Sequence, residues 1–147
     1  MAAPTVNIDL DMLCDVQTKI IDALEASGAP FRTVDVFQGV PEDLGKIVHA
    51  LPSAHVLVDR IQFLRGQDLR QASLPAQMLW TVIIMSENVR DQKSGATQSL
   101  KLIMQTIKLL TRLDTGYGLL WPTGADLIFA EKGKAAYGVD FIVKKAT

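Results

Sequence analysis

Cysteine is nearly absent from this chain: Cys14 is the single one in 147 residues. One thiol excludes an intrachain disulfide and a zinc site built from thiolates. Nothing therefore asks for an oxidising compartment. Neither charge sign is in excess, with fifteen basic residues against sixteen acidic ones and a formal net charge of −1. A dedicated nucleic-acid binder carries a marked basic excess, so that class is disfavoured. Long apolar runs are missing as well; the longest, around Val82–Met85, is far too short to span a bilayer. The opening MAAPTVNIDLDML has no basic n-region and no extended apolar stretch, so a signal peptide is not expected. A soluble protein made in a cytoplasm is the expectation.

The signatures of catalysis are also scarce. The loop SENVRDQKSGATQS has one glycine, Gly95, and its lysine, Lys93, precedes that glycine. A phosphate-binding loop needs several glycine amides and a lysine placed after them. The helix start near Ser94 or Thr97 can still attract an anion through free amides, although either residue also serves as a plain N-cap. His49 and His55 lack the spacing that sets two imidazoles on one helix face. Asp59 lies four residues beyond His55 on an expected strand, which leaves a metal site conceivable, but surface histidines account for the pattern more simply. Cys14 falls in helical phase with Leu10, Leu13 and Ile21 and reads as a small buried hydrophobe. No G-x-S-x-G elbow and no dinucleotide fingerprint occurs. No enzyme activity, metal or cofactor is expected.

What is present is a globular composition, 48% hydrophobic and 21% charged, in a chain of one-domain length. Residues 9–27 place Leu10, Leu13, Cys14, Ile20, Ile21 and Leu24 near helical spacing. Asp9 stands at the start, and Gly28 sits where a left-handed residue ends a helix. FRTVDVFQ alternates as a strand from about Arg32. PEDLGKIVHAL predicts a short helix with Pro41 at its first position, weakened by Gly45 and ended by Pro52. AHVLVDRIQFL predicts a strand with Val56, Val58 and Phe63 on its buried face, and RGQDLRQASLPAQ a surface loop.

MLWTVIIMS reads as a strand buried on both faces, hence central in the sheet. Residues 96–112 predict a second long helix with Leu100, Ile103, Ile107 and Leu110 in its core stripe and Met104 alongside. GYGLLWPTG is irregular, and ADLIFAEK and AAYGVDFIVKK form a hairpin about Gly133. The order α-β-α-β-β-α-β-β predicts one α+β domain over residues 1–147. Its mixed, mainly antiparallel sheet of four or five strands would be flanked by two long helices and a short one.

The contact candidates lie in loops. Arg65, Asp68 and Arg70 crowd one; Arg90, Asp91 and Lys93 crowd another. Mixed-sign clusters of this kind set register at subunit interfaces, and they also occur on solvated loops. Trp121 beside Pro122 is an aromatic patch that serves as a core cover or as an interface anchor.

Taken in order, IIDALEASG, FRTVDVFQG, HALPSAHVLVD, MLWTVIIMSENVRD, the long following helix and AYGVDFIV give a chain that resembles the tail terminators of Mu-like, contractile-tailed bacteriophages and prophages. The resemblance runs from about Asp11 to Lys145 and rests on the segment order, without a strict residue motif. It implies a compact subunit that assembles as a homo-hexameric ring on the head-proximal end of the tail tube. Such a ring stops tube and sheath polymerisation and offers the head its docking surface. The implied partners are itself, the tube protein, and possible sheath and connector proteins, with DNA passing through unbound and no catalytic residue or cofactor. A head–tail connector or tail-assembly adaptor is the alternative. Behind it stands a small-molecule-binding enzyme using the Ser94–Thr97 helix start.

Overall fold

The computed structural model describes residues 6–7, 11–26, 28–39, 50–63, 75–87, 92–131 and 133–144. Its elements are β1 (Val6–Asn7), α1 (Met12–Glu25), β2 (Thr33–Val36), β3 (Ser53–Phe63), β4 (Pro75–Glu87), α2 (Gln92–Leu110), β5 (Leu119–Glu131) and β6 (Lys134–Lys144). The main sheet runs β2-β3-β4-β6-β5, with β1 paired to β4 at its first residues. β2 is parallel to β3, and every other pairing is antiparallel. The class is α+β with a mixed sheet, as the segment order predicts. The expected short helix over PEDLGKIVHAL falls mostly outside the described residues, as do Leu10 and Asp9.

β4 occupies the middle of the sheet because its side chains are apolar on both faces. Met78, Trp80, Val82 and Ile84 face the helices, and Ile83 and Met85 face the opposite side. A strand so apolar on both faces finds enough cover only at the centre of the sheet.

α1 buries Met12, Val16, Ile20 and Leu24 completely. These residues recur every fourth position and form one stripe on the helix-facing side of the sheet. Burying each such side chain contributes roughly 1.5–3 kcal/mol. Cys14, read from sequence as buried, is exposed, because it lies more than a quarter-turn off the Met12–Val16 line. Gly28 takes φ +88°, the left-handed conformation expected of it.

α2 packs over the same face through Leu102, Ile103, Thr106 and Leu110. Leu100, expected in its core stripe, and Met104, expected alongside it, are 59% and 62% exposed. The small residue Ser99 is buried instead, and its Oγ lies 3.0 Å from Ser86 Oγ on β4. Thr106 back-bonds to the Leu102 carbonyl at 2.8 Å, which lets a polar residue stand in the core. The true stripe is therefore rotated toward small polar side chains, which allow close approach of helix to strand.

The segment GYGLLWPTG is not irregular. After α2 the chain turns through Thr115 and Gly118, whose carbonyl accepts from both the Thr115 amide and hydroxyl. β5 then starts at Leu119. Pro122 fits because β5 is an edge strand among the described residues, where a missing donor costs no ladder bond. A register shift between Pro122 and Gly124 takes up the strain as a bulge. β4 likewise begins earlier than expected, at Pro75, inside the segment read as loop.

Candidate interaction surfaces

Within the fold, both helices cover one face of the sheet, and part of the other face is covered by the chain around β2 and by the far end of β5. There Phe37, Leu51, Leu57, Ile128 and Phe129 pack on Ile83, Met85 and Ala136. Ser53 and His55 lie beneath this cover. His55 Nε2 and Ser53 Oγ are 2.9 Å apart, and both side chains are buried. His55 is thus a core histidine rather than the surface residue that the sequence suggested. The pair brings a hydroxyl to an imidazole, yet sealed from solvent it presents no nucleophile to a substrate. Asp59 does not join it: the register skips this exposed residue between Val58 and Arg60. Val58, expected on the buried face, is 38% exposed.

Farther along the same face the cover ends. Leu79, Ile142 and Trp121 form a row across β4, β6 and β5, each directly opposite the next. Leu79 and Ile142 are half-buried, and Trp121 is 39% exposed. Lys144 holds its ammonium 5.5 Å from the Trp121 ring centroid. At an exposed site that cation–π contact is worth roughly 0.5–1 kcal/mol. Trp121 is therefore set on a regular strand, fixed in direction by its neighbours, and partly open to solvent. It is the one residue of the expected contact set whose side chain the structure describes.

Of the remaining candidates, Arg65, Asp68, Arg70, Arg90 and Asp91 lie outside the described residues. Lys93 falls inside α2, which begins at Gln92 and not in the region of Ser94–Thr97. Thr97 sits in the second turn and Ser94 in the first, so neither is an N-cap, and the amides left unpaired within the helix lie at its first four residues, ahead of Thr97.

Sequence reasoning missed the outer surface of α2. Shallow grooves run along it, one lined by Thr97, Leu100, Lys101, Met104 and Gln105, the next by Met104, Gln105, Ile107, Lys108 and Thr111. The exchange of Ser99 for Leu100 in the core stripe was the signal, and periodicity alone prefers the leucine. Leu127, 56% exposed on β5, adds a further apolar side chain on the helix-facing side. Among the described residues no group of three or more His, Cys, Asp or Glu is placed to hold a metal ion. No helix there is long and apolar enough to cross a membrane.

No protein-family model matches the sequence, and no curated protein matches it. Among solved structures, a chain of the virion of the native gene transfer agent (GTA) particle has a similar fold. It superposes with a TM-score of 0.51 and 13% sequence identity, over 92% of this chain and 98% of that one. At that identity the likeness is one of fold.

Proposed function

We propose that this chain is a structural protein of a phage-type virion, and more specifically a tail terminator that caps the head-proximal end of the tail tube as a six-membered ring. The observation that carries the reading is the fold shared, end to end, with a chain of a gene transfer agent virion. The segment order supports the finer role. The surfaces described above suit it: open apolar side chains sit on ordered elements, and the Ser–His pair is sealed.

A cyclic ring needs two different complementary patches on each subunit, so that contacts repeat and close. Its partners in this reading are further copies of itself, the tube protein, and the proteins that join head to tail. The near-neutral net charge of −1 suits a ring through which DNA passes without sticking.

The test is native mass at high protein concentration with negative-stain imaging of the same sample. Six chains of 16.1 kDa make a species of about 97 kDa with an open centre. A closed dimer, a twelve-membered ring or a monomer at every concentration overturns the hexameric terminator.

A further inference from the structure

The helix layer carries its charges sorted by sign. On α1, Asp11, Asp15, Thr18, Asp22 and Glu25 follow the i, i+4, i+7, i+11, i+14 pattern, and all five are exposed. That spacing keeps them on one line along the helix. Lys19 is the only basic residue of α1's exposed surface. On α2, Thr97, Lys101, Met104 and Lys108 follow the same pattern, all exposed, with exposed Arg112 just beyond the helix end. α2 contains no acidic residue. One helix therefore shows solvent an acidic line, and the other a basic line with Leu100 and Met104 set into it.

Within one molecule the outer surfaces of the two helices do not face each other, and Asp15 accepts a 2.8 Å hydrogen bond from the Tyr117 hydroxyl. α1 packs over β2 and β3, and α2 over β4, β6 and β5, so the helices lie side by side with both outer surfaces turned from the sheet. A second copy can bring them together. Asp15 and Asp22 are seven residues apart, as are Lys101 and Lys108. At 1.5 Å per residue, both pairs span about 10.5 Å. Between the carboxylates, Thr18 offers small uncharged ground for Leu100 and Met104, with Lys19 beside it. Burying those two side chains supplies the apolar part of the contact, and the flanking charges supply its register.

We infer that the basic, apolar face of α2 docks on the acidic face of α1 in a second copy of this chain. The inference rests on the reading that copies assemble; because both faces look the same way from the sheet, it is a contact in which two copies face each other and is separate from the contacts that close a ring. Two variants test it: Lys101→Glu with Lys108→Glu, and Asp22→Lys with Glu25→Lys. All four positions are exposed, so circular dichroism and thermal unfolding should match the parent.

By sedimentation, each variant alone should associate more weakly than the parent, by roughly tenfold or more, since like charges then face each other. Mixing the two variants should restore association in part, because the glutamates placed at 101 and 108 then meet the lysines placed at 22 and 25, while Asp15 stays acidic. Parent association should also weaken as salt is raised. Variants that assemble like the parent, or a mixture that stays dissociated, overturn this contact and leave the ring reading standing. A parent that forms only dimers, with swaps that complement, overturns the ring and supports the contact. A parent that never associates overturns both.

Discussion

Thr81 on β4 donates a 2.6 Å hydrogen bond from its Oγ1 to Asp140 Oδ1 on β6, in a register that sets the two residues directly opposite each other. The bond joins two neighbouring interior strands on the face away from the helices. It lies between the covered cluster around Ile83 and the open row of Leu79, Ile142 and Trp121.

Thr81→Val keeps the shape and removes the donor. Asp140 is half-buried and can turn partly to water, so the loss should be roughly 1–2 kcal/mol rather than the full cost of a buried orphan. Urea unfolding of the variant against the parent measures it. An unchanged midpoint would mean that the bond contributes nothing net.

The turn into β5 gives a sharper contrast. A Cβ on Gly118 would stand 2.5 Å from the Lys144 carbonyl oxygen, a backbone atom that cannot step aside. A Cβ on Gly116 meets nothing, although its φ of +86° is left-handed. Gly118→Ala should therefore cost roughly 2–4 kcal/mol and Gly116→Ala roughly 1–2 kcal/mol. Equal melting temperatures for the two variants would contradict the close approach of β5 to the end of β6.

The rotated stripe of α2 is tested by a pair of truncations. Ile103→Ala removes a buried side chain and should cost roughly 2–4 kcal/mol. Leu100→Ala acts on a side chain 59% exposed and should change monomer stability by about 0.5 kcal/mol or less. Chemical denaturation at low protein concentration, where association is suppressed, compares the two. A larger loss at Leu100 would restore the stripe that periodicity first suggests.

The sequence by itself determined the class of the fold, the central place of β4 and most of the element order. Those follow from local pattern: an unbroken apolar run needs cover on both faces, and a four-residue apolar repeat needs one. Gly28 and Gly133 were legible for the same reason, since a left-handed backbone position selects glycine wherever it stands.

Only the tertiary structure decided the rest. Pro122 and Gly124 read as breakers along the chain, yet an edge strand tolerates a missing donor and a bulge absorbs a misfit. Hydropathy ranks Leu100 above Ser99, but the spacing between α2 and β4 admits a serine facing Ser86 and leaves the leucine outside. His55 is polar along the chain, yet the cover of Phe37 and Leu51 and the hydroxyl of Ser53 give it a place in the interior. The sorting of acid to α1 and base to α2 was written in the sequence, but it became a surface only when both helices were laid on the same face of one sheet. Side-chain pattern is a local quantity, and which side of a helix remains uncovered depends on partners distant in the chain.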